Sequence, residues 1–92
     1  MNRKDLAAVI AVRTDLTADQ ADAALTAALD GIVTATASGE RVSLSGFGTF
    51  ERRHRAARSG RNPQTGEVIE IPASDVPAFK PATAFKNTVA AR

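Results

Sequence analysis

Apolar residues recur every three to four positions through the first part of the chain, and this spacing predicts two helices. Asn2 is placed to cap the first helix, which we expect to end near residues 13–15. Thr17 and Gln20 form a capping box for a longer second helix, and Gly39 is a natural stop. The apolar stripe of the second helix is wide enough to be core or a dimer surface. It consists of Ala21, Leu25, Ala28, Leu29, Ile32, Val33 and Thr36.

The pattern changes to period two in the middle of the chain. Val42 and Leu44 alternate with polar residues, and after a turn the strand pattern resumes at Phe47. Phe47 and Phe50 would face opposite sides of a regular strand, so we expect the glycines on either side of Phe47 to bend the chain. All four aromatic residues are phenylalanines in apolar surroundings, which favours a place in the core over stacking on bases.

A long hairpin is predicted for residues 52–73, hereafter the arm. Its first half is basic and polar, residues 60–66 are dense in turn formers, and residues 68–71 are typical of a strand. Pro63 lies near the predicted tip. Because an isolated two-stranded ribbon is marginally stable in water, we expect most of the arm to be mobile until a partner orders it.

Prolines mark the return of the chain from the arm. Pro72 and Pro77 confine the returning strand to an edge or a bulged position, and Phe79 brings it back to the core. Pro81 then precedes a short closing helix. These elements predict a single α+β domain with a helical base over residues 1–39, a sheet with the arm over residues 40–81 and a helix over residues 82–92.

The size of the chain limits how its fold can be stabilised. A domain of 92 residues buries a modest share of its surface and usually needs a supplement. The chain has no cysteine, which excludes disulfides and thiolate metal sites. A second subunit is the supplement that remains.

Several functional classes are disfavoured by the residues present. His54 is the single histidine, and it shows neither triad nor metal spacing, so we predict no enzyme, no metal and no cofactor. No apolar run approaches the roughly 20 residues that span a bilayer, and the N-terminal sequence is unlike a signal peptide. We therefore expect a cytoplasmic protein with no membrane partner.

Charge is distributed unevenly, although the net charge is only +2. Residues 1–51 carry a net charge of −3, and residues 52–92 carry one of +5. Such an asymmetry points to a polyanionic partner, and the alternative explanation is a solvated surface that aids solubility. The basic excess is concentrated in five arginines with no acid among them: Arg52, Arg53, Arg55, Arg58 and Arg61.

Two features of the arm favour a nucleic acid as that partner. Arg53, Arg55 and Arg61 share one strand parity. Arg52 and Arg58 have the other, so guanidinium groups line both faces of the ribbon, which suits an arm lying in a groove. The proline at the tip has two interpretations: ordinary turn chemistry, or an apolar wedge inserted between stacked base pairs.

Four motifs stand out together: Gly46-Phe47-Gly48-Thr49-Phe50, Arg55-Ala56-Ala57-Arg58, Gly60-Arg61-Asn62-Pro63-Gln64-Thr65-Gly66 and Pro77-Ala78-Phe79-Lys80. With their spacing, they resemble the HU and integration host factor family of bacterial histone-like DNA-binding proteins, and HU is the nearer branch. The similarity runs over essentially the whole chain. It implies an intertwined dimer with two N-terminal helices, a three-stranded antiparallel sheet extended into a β-ribbon arm, and a short C-terminal helix. Phe47, Phe50 and Phe79 would pack in the dimer core.

The resemblance also implies which residues contact DNA. Pro63 would insert at a kink from the minor groove, flanked by Arg61 and Asn62, and HU proteins are themselves among the known examples of such insertion. The other implied contacts are Arg53, Arg55 and Arg58, which would line the groove, and Arg3, Lys80 and Lys86, which would hold phosphates on the body.

The predicted function is sequence-independent binding and bending of double-stranded DNA by a homodimer in the bacterial nucleoid. Unstacking is cheapest where DNA is already nicked, mismatched or bent, so we expect a preference for bent or damaged DNA. Glu67 and Thr83 stand where relatives often carry a basic residue, which predicts weaker binding along the flanks. Two alternatives stay open: sequence-specific architectural binding like that of integration host factor, usually as a heterodimer, and binding of structured RNA.

Overall fold

The computed structural model describes residues 1–91, and Arg92, the last residue of the predicted closing helix, lies outside the described residues. The chain forms two compact units, with residues 1–34 in the first and residues 35–91 in the second. No helix in residues 1–91 is long and apolar enough to cross a membrane.

A capping box at the start and a left-handed residue at the end set the limits of the first helix, α1, which spans Arg3–Thr14. Asn2 Oδ1 accepts a hydrogen bond from the Asp5 backbone N–H at 2.9 Å, and Asp5 Oδ2 accepts one from the Asn2 N–H at 3.2 Å. Asp15 ends the helix in the left-handed region, with φ of 58°. The predicted start at Asn2 and end near residues 13–15 are confirmed.

The second helix, α2, spans Ala18–Ala37 and is capped at both ends. Thr17 Oγ1 accepts from the Gln20 N–H at 3.1 Å, and Gln20 Oε1 accepts from the Thr17 N–H at 3.0 Å. At the other end Gly39 has φ of +91°, and the N–H of the next residue donates to the Ala35 carbonyl at 2.9 Å. This is a Schellman ending, in which the left-handed residue is usually glycine, so the predicted stop is confirmed.

Only part of the predicted apolar stripe is buried within one chain. Ala7, Ala21 and Leu25 are the buried apolar residues of the first unit. Leu29 and Val33 lie further along α2 and are exposed, Val33 with 66% of its surface accessible. The later turns of α2 therefore leave an apolar surface that residues 1–91 of the same chain do not cover.

The second unit is built on an antiparallel sheet. Its strands are Val42–Leu44 (β1), Gly48–Arg55 (β2), Arg58–Arg61 (β3), Val68–Ile71 (β4) and Ser74–Pro81 (β5). Strands β1, β2 and β5 form a three-stranded sheet with β2 in the centre, while β3 pairs with β4. The prediction that the returning strand lies at an edge is confirmed, because β5 is an edge strand. The predicted helices, three-stranded sheet, ribbon and closing helix are likewise confirmed. The closing helix, α3, spans Thr83–Ala90.

Phe47 lies in a turn, and this corrects the expectation that the strand resumes at this residue. Its N–H donates to the Leu44 carbonyl at 3.0 Å, Gly46 has φ of +77°, and β2 begins only at Gly48. Strand parity therefore does not apply to Phe47. Its ring stacks with that of Phe50, with ring centres 6.4 Å apart, and no bend within the strand is required.

The four phenylalanines form one aromatic cluster in the second unit. Ring centres are 4.7 Å apart for Phe50 and Phe79, and 5.5 Å apart for Phe47 and Phe85. Gly48 is buried beneath the cluster. The site has no room for a side chain, because a Cβ at this position would lie 2.6 Å from Phe79 Cζ. Phe47 and Phe79 are still 46% and 39% exposed, so the described chain covers the cluster incompletely.

The arm consists of two ladders separated by a short break. The β2–β5 ladder ends at the pair Arg55 and Ser74, and the β3–β4 ladder begins at the pair Arg58 and Ile71. Both pairs belong to one register, so two residues on each strand face each other across the break. One of them is Pro72, which has no N–H to donate to a ladder. The predicted hairpin is thus present, with an interruption where the proline falls.

Candidate nucleic-acid interface

The three-stranded sheet has an aromatic face and a polar face. Phe50 pairs with Phe79, and the adjacent pair is Thr49 and Lys80. Because side chains alternate along a strand, Lys80 points to the face opposite the aromatic cluster. The sheet therefore presents a polar surface on the side away from its apolar packing.

Glu51 is the centre of a basic cluster on this polar face, hereafter the Glu51 cluster. Its Oε1 lies 3.1 Å from Lys80 Nζ and 3.5 Å from Arg53 Nη2. Its Oε2 lies 3.3 Å from Arg41 Nη2. The hydrogen bond from Lys80 is the main cause of a lowered pKa of Glu51, below the usual 4.5, and the charges of Lys80 and Arg41 add to it against partial desolvation. Three cations surround one carboxylate, so the cluster keeps a net positive charge.

Three predicted arm residues present exposed guanidinium groups. Arg55, Arg58 and Arg61 are exposed, and no carboxylate of the described chain forms an ion pair with them. Arg58 and Arg61 lie on opposite faces of β3, as their parity predicted. Arg52 behaves differently, because its Nη1 donates to the Ala37 carbonyl at 2.9 Å and so ties β2 to the end of α2.

His54 lies between these arginines on β2 and faces Asp75 on β5. Its Nδ1 is 2.8 Å from Asp75 Oδ1, and both side chains are exposed. Among residues 1–91, no group of three or more histidines, cysteines and acidic residues is placed to hold a metal ion.

The tip, residues 62–67, is closed by its own hydrogen bonds. The Asn62 N–H donates to the Glu67 carbonyl at 2.8 Å, and the Gly66 N–H donates to the Asn62 carbonyl at 2.8 Å. Asn62 Oδ1 also accepts from the Gln64 N–H at 2.9 Å, while Gly66 has φ of +73°. Asn62 is thereby fixed by the turn, and Pro63 beside it is exposed.

The residues predicted to contact DNA on the body differ in whether another residue of the chain already pairs with their side chains. The Arg3 guanidinium donates to the Thr26 hydroxyl, and its Nε lies 3.9 Å from Asp22 Oδ1. Lys80 belongs to the Glu51 cluster together with Arg53. Lys86 is exposed on α3 and forms no ion pair within residues 1–91. Of these predicted contacts, Arg3 and Lys80 thus already have a carboxylate partner inside the chain.

Sequence reasoning missed Arg41 and Glu51 as members of the site. Their signal lies in strand pairing: Val42 pairs with Phe50, and the same register places Arg41 opposite Glu51. A linear reading of charge separates these two residues by the apolar segment between them. Only the pairing of β1 with β2 brings the arginine onto the basic face.

Together, the basic sheet face and the ribbon of exposed guanidinium groups define a class: a small protein that grips a polyanion with a β-arm. Residues 1–90 match a family model described as "Bacterial DNA-binding protein". The chain belongs to this family.

Similar proteins agree with this assignment. The chain is 51% identical over 90 residues to DNA-binding protein HU of Nostoc sp., covering 98% of this chain and 96% of that protein. It is 53% identical over 89 residues to DNA-binding protein HU of Staphylococcus aureus, covering 97% and 99%. An Anabaena HU–DNA cocrystal structure is similar with a TM-score of 0.91 and 50% identity, covering 100% of both chains. The resemblance to the HU and integration host factor family is therefore confirmed.

Proposed function

We propose that this chain binds double-stranded DNA as a homodimer, without preference for base sequence, and bends it as an architectural protein. The observation that carries the proposal is the arm, in which exposed arginines lead to an exposed proline on a hydrogen-bonded tip. The cocrystal of the similar Anabaena protein with DNA supports DNA as the polyanion. We propose that the chain acts by binding DNA and not as an enzyme.

Affinity is supplied by phosphate neutralisation along the arm. Arg55, Arg58 and Arg61 are exposed, and each presents a planar guanidinium fork that matches the geometry of a phosphate. Their alternation between the two faces of the ribbon lets an arm in a groove face the phosphates of both walls. Such contacts carry no sequence information, so binding depends strongly on salt and weakly on sequence.

Bending is supplied by the tip. The side chain and backbone of Asn62 are held within the turn, so Pro63 is presented on a structured base rather than on a loose loop. An apolar ring at this position is suited to enter between base pairs from the minor groove, the mode for which HU proteins are themselves a known case. The unstacking costs a few kcal/mol, which is least in DNA that is already nicked or bent.

Dimerisation is supported by the apolar surface that a single chain leaves exposed. In the second unit, Phe47 and Phe79 are incompletely covered although they lie in the aromatic cluster with Phe50. In the first unit, Leu29 and Val33 are exposed on α2. We propose that a second copy covers these residues, with the phenylalanines in the dimer core, because apolar burial is the main source of stability in so small a domain.

Binding along the body should be weaker than in more basic relatives. Thr83 is the exposed first residue of α3, and as a neutral residue it brings no positive charge to this body surface. Glu67, the other position where relatives often carry a basic residue, lies in the tip, where its carbonyl closes the turn. We propose that the protein acts on DNA in the bacterial nucleoid, with Arg3, Lys80 and Lys86 as its body contacts.

The test is a series of gel shifts with regular duplex DNA, nicked DNA, a four-way DNA junction and duplex RNA of equal length, each at two salt concentrations. We expect the nicked and four-way DNA to bind most tightly, and binding to weaken as salt rises. Two unrelated duplex sequences serve as the control for sequence preference. Preferential binding of RNA, or of one of the two DNA sequences, would contradict the proposal.

A further inference from the structure

The Glu51 cluster contains two of the cations that we propose as DNA contacts. Lys80 and Arg53 both lie within 3.5 Å of Glu51 Oε1, and Arg41 approaches the other carboxylate oxygen. Glu51 itself is only 18% exposed, whereas the three cations are each at least half exposed. The carboxylate is thus the least accessible member of the cluster, and the cations are open to solvent.

The sheet register accounts for this arrangement. Arg41 lies directly across from Glu51, Arg53 lies two residues along the same strand, and Lys80 lies diagonally across on β5. Such positions are the neighbours that a side chain on one face of an antiparallel sheet contacts. The cluster is therefore built into the strand pairing.

The arm offers a contrast. In the described part of the chain, Arg55, Arg58 and Arg61 have no carboxylate partner, so a phosphate meets an uncompensated charge there. A phosphate approaching Lys80 or Arg53 meets a cation that already donates to a carboxylate. Among the proposed DNA contacts on the strands, Arg55, Arg58 and Arg61 are thus available, whereas Arg53 and Lys80 are engaged.

We propose that Glu51 limits how strongly DNA is held on the polar face of the sheet, because its carboxylate competes with DNA phosphates for Lys80 and Arg53. This inference rests on the proposed function. Glu51 then sets how much of the binding comes from Lys80 and Arg53, and the other proposed contacts supply the rest. Since three cations face one carboxylate, the face stays attractive to DNA, and Glu51 reduces this attraction without abolishing it.

Counterion release gives the competition a measurable signature. Each cation that newly neutralises a phosphate steepens the slope of log K against log salt by about 0.9. Glu51→Gln removes the negative charge but keeps the size of the side chain. If both cations are released, the slope steepens by up to about 1.8 per chain, and binding at 0.1 M salt tightens about eightfold for each released cation.

The experiment is a fluorescence-anisotropy titration of a labelled duplex at several salt concentrations. Wild type, Glu51→Gln and the control Glu40→Gln are compared. Glu40 undergoes the same charge change but forms no ion pair within the described residues. We expect the steeper slope only for Glu51→Gln. A second neutral variant, Glu51→Thr, uses a β-branched residue suited to a strand and serves if the glutamine variant does not fold.

A double variant shows whether Lys80 is one of the cations that Glu51→Gln releases to DNA phosphates. Adding Lys80→Ala to Glu51→Gln should remove about half of the gain in slope, because one of the two released cations is absent. The inference is wrong if Glu51→Gln matches Glu40→Gln, or if it weakens binding with a shallower slope, which would mean that Glu51 orients Lys80 toward phosphate. A wild type that binds no DNA at any salt would instead refute the proposed function, and this inference would fall with it.

Discussion

Removing two arm arginines tests the electrostatic part of the proposed mechanism. Arg58 and Arg61 lie on opposite faces of β3, are exposed, and have no ion-pair partner among residues 1–91. Since no internal carboxylate shares their charge, each should contribute a full phosphate contact. The perturbation is the double variant Arg58→Ala, Arg61→Ala.

The magnitude follows from counterion release. Two lost contacts lower the slope of log K against log salt by about 1.8 per arm, at about 0.9 per contact. Between about 50 and 200 mM salt, the affinity of the variant should therefore fall about 12-fold less, per arm, than that of the wild type. Fold stability should change little, because both side chains are exposed and make no hydrogen bond within the described chain.

The assay is a binding titration on one duplex at four salt concentrations. The matched control is the double variant Arg58→Lys, Arg61→Lys, which keeps both charges and should keep the slope, although lysine loses the planar fork of arginine. A second control, Arg13→Ala, removes an exposed cation of α1 that is not among the proposed contacts. A slope that is the same for the alanine variant and the wild type would refute the assignment of these arginines to phosphate.

Three further predictions concern the fold and the tip. Gly48→Ala should destabilise the protein by about 1–3 kcal/mol in a thermal or urea unfolding measurement, because the added Cβ would lie 2.6 Å from Phe79 Cζ in a buried position, and an unchanged midpoint would contradict this packing. Pro63→Ala should keep salt-dependent binding but reduce ring closure of short duplexes, and unchanged cyclisation would exclude the wedge. The lowered pKa of Glu51 means that its carboxylate stabilises the fold above its ordinary pKa of 4.5 and that this contribution is lost as pH falls through the lower folded value. Glu51→Gln should therefore lower the melting temperature near pH 6, and this deficit should shrink as the pH is lowered below 4.5; a deficit that does not change with pH would contradict the ion pairs.

Helix limits could be predicted from sequence because their causes are local. Asn2 with Asp5, and Thr17 with Gln20, are partners three residues apart, and both exchanges are present in the structure. Gly39 likewise acts within its own turn. Such signals need no knowledge of tertiary contacts.

Two features of the second unit could not be read from local pattern alone. The period-two pattern placed Phe47 in a strand, whereas the turn that ends at Gly48 removes it from strand parity. The Glu51 cluster depends on which residue of β1 faces which residue of β2, and a shift of one residue would move Arg41 to the other face. Pairing between distant segments is decided by the whole sheet, so it lies beyond a linear reading.

The arm was predictable in outline, because turn formers and a basic run are visible in the chain. Its tip geometry was not, since the hydrogen bonds of Asn62 to Gln64, Gly66 and Glu67 depend on the closed turn. The break beside Pro72 follows from the missing N–H. Its position opposite Ala57 required the register of both ladders.

The most direct test of the central claim, that the arm binds and bends DNA, is to shorten the arm and measure the bend. Deleting residues 58–71 removes β3, the tip and β4, and leaves the pair Arg55 and Ser74 to close a four-residue loop. The bend is read from energy transfer between dyes at the two ends of a duplex, at protein concentrations that saturate each variant. We predict that the shortened protein keeps its helices and sheet, binds far more weakly, and leaves the duplex close to straight. A shortened protein that bends the duplex as much as the full chain would contradict the account.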